Sequence, residues 1–380
     1  MKTCGIAILF LCGIGSAYAQ ATTRVVTTIA DAGTGSLRAA VAGAPDGTQI
    51  TFDPALNGQV ITLTSTPIVI ATALTITGNG ASNTRISGAN ARRLFEVSSS
   101  AAGGTAIRNL TLASGNAGNA GSGGAILNTG VLRLEGVRLT GNGAGISGGA
   151  VLNQRSGAGG SLVVRGSVFD ANTIDAADCG SGAAIRSEGA GASVVIVNTT
   201  LAGNTAGPAC SGGAIGIGNG SLEVVSSTLG PNTGGRSGGN LYKGARAATI
   251  VMRNTVLVEG SAVLNPDLHG AAIGFASLGS NLVGDRGDAA GFVASDLVAG
   301  TPPMLGALQP SGAVQLPARV PMAGSALLDR IGAAACVDVG GGALGVDQRG
   351  VVRPQGPACD IGAVERTFGL DELLFADGFE

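Results

Sequence analysis

The chain has no tryptophan, two tyrosines and one histidine, and lysine is almost absent from its 380 residues. A lone histidine, His269, leaves little material for a histidine-ligated metal or a Ser-His-Asp triad. Beyond the N-terminal segment Tyr242 is the only tyrosine, so the ring platforms on which sugar-processing sites usually stack their substrates are missing. A formal net charge of -2 speaks against a nucleic-acid partner, because phosphate binding needs concentrated Lys and Arg. After the N-terminal segment no stretch approaches ~18 uninterrupted apolar residues, so no transmembrane helix is predicted in the mature chain.

What is abundant is glycine, 67 residues, in a chain that is nevertheless 44% hydrophobic. There is plenty to bury, so glycine must serve turns rather than disorder. The N-terminus runs from Met1-Lys2 through an apolar stretch, Ile6 to Ile14, to small residues at Ala17 and Ala19. That is the order of a secretory signal peptide, with residues 1–19 removed. Cys12 follows the large Leu11, which does not suit a lipoprotein signal. Cys179, Cys210, Cys336 and Cys359 then remain, an even number in an exported chain without close CxxC spacing, and disulfides are expected over metal thiolates.

Internal repetition determines the fold class. Five segments open alike, Ser122-Gly-Gly-Ala-Ile, Ser147-Gly-Gly-Ala-Val, Ser181-Gly-Ala-Ala-Ile, Ser211-Gly-Gly-Ala-Ile and Ser237-Gly-Gly-Asn-Leu, with starts 25, 34, 30 and 26 residues apart. Within the units VLRLEGVRLTGN, SLVVRGSVFDAN, SVVIVNTTLAGN and SLEVVSSTLGPN align without a gap. Their apolar positions form columns: Leu132, Leu162, Val194 and Leu222; Leu134, Val164, Ile196 and Val224; Leu139, Phe169, Leu201 and Leu229. Period-two alternation rich in β-branched residues means short half-buried strands. Units of this length with no helical face stack as one coil each, which predicts an all-β, right-handed parallel β-helix. Asn116, Asn142, Asn172, Asn204 and Asn232 then read as a structural amide ladder at one corner, ending where the next unit has Gly260.

At these residues the chain resembles the polymorphic outer-membrane protein repeats of bacterial autotransporter-type surface proteins, whose hallmarks are a GGAI-like tetrad and an F/L-x-x-N tetrad. Two units depart from it, at Gly182-Ala183 and Asn240-Leu241. Upstream, Gly35-Ser36-Leu37-Arg38-Ala39-Ala40, Ile50-Thr51-Phe52-Asp53 and Leu74-Thr75-Ile76-Thr77-Gly78 resemble the opening of bacterial β-helix surface proteins, which implies an N-terminal cap. Downstream, Asp347-Gln-Arg349-Gly-Val-Val-Arg353-Pro and Cys359-Asp360-Ile-Gly-Ala-Val-Glu365 resemble the closing module of choice-of-anchor Q proteins. The expected organisation is a cap with first coils over 20–104, β-helix coils over 105–300, a closing module over 301–366 and a tail over 367–380. The tail is too short for a transmembrane β-barrel, and its end, Phe375 to Glu380, resembles short terminal tags on some exported proteobacterial proteins.

Pectate-lyase-like and polygalacturonase-like enzymes share this architecture, so glycan cleavage is the rival to weigh. Hydrolysis needs two carboxylates on one surface, and elimination needs a cation with an Arg or Lys base. Glu135 and Glu223 fall in different outward columns, and Arg165, one coil above Glu135, reads as its ion-pair partner. Lys243, Arg246 and Arg253 gather in the last regular coil, where a solvated rim is expected. Asp170, Asp175 and Asp178 are oxygen-rich but match no calcium motif. Cys179 and Cys210 precede equivalent points of adjacent coils, ~4.8 Å apart, and should pair. Cys336 then pairs with Cys359. Asp347, Arg349, Arg353, Asp360 and Glu365 are read as ion pairs sealing a coil end.

No catalytic residue, metal or cofactor is expected. The functional expectation is an exported scaffold, extracellular or on the outer-membrane surface of a Gram-negative bacterium. Its role would be adhesive or ligand-binding, with surface glycans or other cell-surface molecules as partners. The alternative is a polysaccharide lyase or glycoside hydrolase.

Overall fold

Alternating apolar residues broken every few positions by a residue suited to positive φ make the chain turn after each short strand, and in the computed structural model these turns stack. The structure describes residues 22–101, 103–155, 160–176, 179–244, 247–310 and 316–367. The signal-peptide reading, the 368–380 tail, Asp178 and Arg246 lie outside them.

Three parallel sheets of ten, nine and eight strands form a β-solenoid. One coil passes from Val131–Glu135 in the first sheet to Arg138–Thr140 in the second and, beyond a loop, to Val151–Gln154 in the third; the next coil starts at Ser161–Arg165. The columns of the sequence are the paired registers: Leu132, Leu162, Val194, Leu222 and Ile250 face one another rung by rung, as do Leu139, Phe169, Leu201 and Leu229. All are buried in one continuous core, where each large apolar side chain contributes roughly 1.5–3 kcal/mol. Among the described residues no helix is long and apolar enough to cross a membrane.

The Ser-Gly-Gly motif works through its backbone. Gly123, Gly148, Gly182, Gly212 and Gly238 all have positive φ, and neighbouring N–H groups donate to carbonyls of the next coil, as Gly123 does to Gly148 and Gly212 to Ser237. Where the pair becomes Gly182-Ala183, the methyl of Ala183 packs beside Ile174 and Cys210.

The amide ladder runs Asn142, Asn172, Asn204, Asn232, each Nδ2 donating to the next Oδ1 at 2.8–2.9 Å. Asn116 is displaced from it. Gly115 occupies the ladder position, its N–H donating to Asn142 Oδ1, while Asn116 pairs one residue further along, opposite Gly143. Five residues from Leu112 place Asn116 one step too late, where Leu139 to Asn142 takes four. At the other end the ladder does not stop at Gly260. It shifts column: Asn232 Nδ2 donates to Asn240 Oδ1, and Asn240 Nδ2 donates to Asp267 Oδ1, which also accepts the Gly260 N–H. Asn240, where the motif usually has alanine, is therefore a ladder residue.

The N-terminal mouth is covered by a short helix, Leu37–Val41, with Ser36 Oγ accepting the Ala39 N–H as its cap and Leu37, Ala40 and Val41 buried. At the other end Phe275 and Phe292 meet at 4.9 Å, and the Arg286 guanidinium lies 3.9 Å over the Phe292 ring.

The Cys179–Cys210 disulfide joins adjacent coils with Cα atoms 5.3 Å apart, and Cys336–Cys359 lies within the C-terminal segment. Such bonds form and persist in oxidising compartments. A Cys179→Ala/Cys210→Ala variant should lose about 3.7 kcal/mol, the chain-entropy value for cysteines 31 residues apart. Denaturant titration of the oxidised protein against the variant measures it, and equal midpoints would mean that the adjoining rungs hold that corner unaided.

Candidate functional site

Between the first and second sheets each regular coil turns on two residues. The first is left-handed in every case: Asn109, Gly136, Gly166, Asn198, Ser226 and Asn254 have φ between 45° and 63°. Asparagine and glycine suit this conformation. The second residue builds a hydroxyl ladder beneath, in which the N–H of Val137, Ser167, Thr199 and Ser227 donates to the hydroxyl of Ser167, Thr199, Ser227 and Thr255. The result is a straight stack of turns along the solenoid.

The closing segment, read from sequence as a plug for the coil end, instead folds back along this stack. Asn198 Nδ2 donates to the Val346 carbonyl at 2.6 Å, Asn254 Nδ2 to the Ala335 carbonyl at 2.9 Å, and the Gly362 N–H to the Asn254 carbonyl. The Ala363 N–H donates to Thr228 Oγ1, and Arg165 pairs with Asp338 at 2.8 Å. Leu344 and Val339 pack on Val195, Val197 and Val225 of the first sheet. An outward-facing row of valines, buried or half-buried beneath the segment, and a turn stack with side-chain amides give the segment more to bind than a coil end does.

Its interior is charged. Arg353 is fully buried and donates to Glu365 Oε1, the Asp360 and Gly362 carbonyls and Asn198 Oδ1. Asp347 accepts the N–H groups of Arg349, Val351 and Glu365. Burial pushes the Glu365 carboxyl up to about 7, with Arg353 partly offsetting it, and burial raises Asp360 as well. These residues form ion pairs, as the sequence suggested, but on the flank of the solenoid.

Where the closing segment ends, a bay of about 870 Å³ begins. Its floor is Asn109, Gly136 and Gly166 with Glu135 and Arg165 beside them; one wall is Val346, Asp347 and Gln348, and the other is Asn79 to Asn83. That second wall exists because the turn after Thr75–Thr77 takes seven residues, 78–84, instead of two. Both charges on the floor are paired. Glu135 meets Arg108, one coil below, at 2.9 Å, so its partner is not the Arg165 expected from the sequence, because Asp338 claims Arg165. Among the described residues none that lines the bay is aromatic.

The other sequence candidates lie apart from the bay. Lys243 and Arg253 form no basic face: they belong to the third and first sheets, and Lys243 points inward at 4% exposure. Asp170 turns onto Arg138, held by two 2.8 Å bonds, with Thr140 donating as a third. Among the described residues no three His, Cys, Asp or Glu are grouped to hold a metal. His269 stacks on Tyr242 at 5.4 Å between ring centroids and contacts Asn265. Glu223 stands between Val195 and Val251 in a separate outward column from Glu135. The bay itself escaped sequence reasoning, although the Asn/Gly interchange two residues before most second-sheet strands, with Ser226 as an exception, was a visible sign of the turn stack.

No family model matches the chain, and no curated protein does. A solved structure similar to it is the crystal structure of pectate lyase Pel9A, at 15% identity and a TM-score of 0.38, covering 92% of this chain and 98% of that one.

Proposed function

We propose that the chain is an exported β-helix scaffold that holds a partner molecule in the bay over the turn stack. The observation that carries this reading is the bay: a concave site fixed by two rigid walls, with a floor whose two charges are already neutralised by Arg108 and Asp338. Paired charges are poor acids, bases and nucleophiles but good fixed hydrogen-bonding groups. The surface-protein resemblance of the repeats and the two disulfides support export to the cell surface or beyond.

The test uses the purified chain against bacterial envelope preparations and a panel of acidic and neutral polysaccharides, with and without Ca²⁺. Saturable binding is expected, together with no unsaturated products and no new reducing ends. Ser82 is exposed on the bay wall and makes no side-chain hydrogen bond among the described residues. Ser82→Trp should obstruct the bay and weaken binding about tenfold, a loss of roughly 1.4 kcal/mol. Cleavage of any polysaccharide would replace the scaffold reading with the lyase or hydrolase alternative.

A further inference from the structure

We infer that the occupant of the bay is an extended polypeptide segment, held by its main chain across the turn stack. This rests on the binding-bay reading above. The argument comes from how the same stack treats the chain's own closing segment. At both asparagine rungs that the segment covers, the turn layer binds peptide main chain: Asn198 and Asn254 donate their side-chain amides to the carbonyls of Val346 and Ala335, and the Asn254 carbonyl accepts the Gly362 N–H, while beside the Ser226 turn the strand residue Thr228 accepts the Ala363 N–H. Main-chain groups are the same in any sequence, so such a surface recognises an extended peptide as a class, with side-chain fit adding specificity.

The bay is the uncovered continuation of that surface. Asn109 occupies the same turn position as Asn198 and Asn254, with φ of 51° against 47° and 54°. It is exposed, and its amide has no hydrogen bond among the described residues. Next to it Gly136 and Gly166 take the left-handed position without a side chain; a Cβ on Gly166 would find only the Gln348 carbonyl, at 3.9 Å. A backbone can therefore approach the floor closely at Gly166, while over Gly136 it meets the Asn109 side-chain amide, whose Oδ1 would lie 2.6 Å from a Cβ there. The absence of aromatic rings from the lining removes the feature on which sugar rings usually stack.

The walls also set direction. From the long turn at 78–84 to the covered rung at Asn198 there are four strand spacings, about 19 Å. Both axial ends are blocked, so the segment crosses the stack from the first-sheet face toward the second-sheet face, as the closing segment does. The ~19 Å between the walls is then the width available to the segment's side chains on either side of its main chain.

The experiment is selection of a random displayed peptide library, with inserts of about ten residues so that they overhang the bay, on the immobilised full-length protein. Selected peptides are expected to bind about tenfold more weakly to Asn109→Gly, which keeps the left-handed turn but removes the amide, and to lose binding to Ser82→Trp. Unchanged melting of both variants shows that the fold survives. No enrichment, or peptides that bind both variants as well as the parent, overturns the inference. If a polysaccharide from the panel binds in a Ser82→Trp-sensitive way while no peptide is enriched, the polypeptide inference fails and the scaffold reading stands. If neither class binds, both fail.

Discussion

Arg353→Met is expected to destabilise the docked closing segment by about 3–5 kcal/mol, the range for removing one partner of a buried ion pair. Methionine roughly fills the volume of the stem, so the loss is chiefly electrostatic. The guanidinium is completely enclosed, and four acceptors converge on it. One of them, Asn198 Oδ1, belongs to the turn stack. Losing Arg353 therefore both strands Glu365 and weakens the junction between segment and solenoid. A urea titration should resolve a first transition that moves to lower denaturant in the variant, with the solenoid transition unchanged. Parent-like behaviour in both transitions would mean that Arg349 and Arg366 suffice to neutralise the buried carboxylates.

The same cluster sets a pH dependence whose sign is opposite to ordinary acid denaturation. Burial raises the Glu365 carboxyl from its ordinary 4.5 to about 7 in the folded protein. Between those values the folded state holds more protons than the unfolded one, so stability falls as pH rises through that window. Asp360, also raised by burial, acts in the same direction. The docked segment should thus be tightest near pH 5 and loosen toward pH 8, and Glu365→Gln should flatten the slope. In Arg353→Met the slope extends to higher pH, since the carboxyl has lost its nearest cation.

What the sequence made legible follows from the range of the interactions involved. The inward columns, the Ser-Gly-Gly turns and the Cys179–Cys210 pairing all depend on one coil matching its neighbour, and a repeat displays that match directly as aligned letters. The bay depends on contacts with no repeat behind them. Arg165 meets Asp338 and Asn198 meets Val346, separated by 173 and 148 residues, and nothing in local periodicity says that 316–367 lies along the flank. Asn116 shows a subtler limit. Counting to the nearest asparagine overlooked that Gly115 fills the rung, because in this ladder the backbone N–H is satisfied whether or not the residue has an amide. Lys243 was misread for the opposite reason, since its column continues inward-facing Asn128, Asn153, Ser187 and Ile217, and charge alone suggested the surface.

Asn204→Ala is expected to cost about 4 kcal/mol or more, because each buried polar group left unpaired costs roughly 1–3 kcal/mol. Asn204 Oδ1 accepts from both the backbone N–H and the side-chain amide of Asn172, and its own amide donates to the Phe169 carbonyl and to Asn232 Oδ1. Alanine deletes all four bonds at a fully buried site too narrow to readmit water freely. The ladder also has a direction. Every amide donates toward Asp267, whose carboxyl burial pushes above its ordinary value, and aligned donors polarise one another toward such an acceptor. If that coupling operates, Asn204→Ala and Asn240→Ala together will cost less than the sum of the single losses, since the first break already removes the cooperative share of the second. A double-mutant cycle by denaturant titration decides it: an interaction above about 0.5 kcal/mol identifies a cooperative relay across the rungs, whereas strict additivity reduces the ladder to independent pairs.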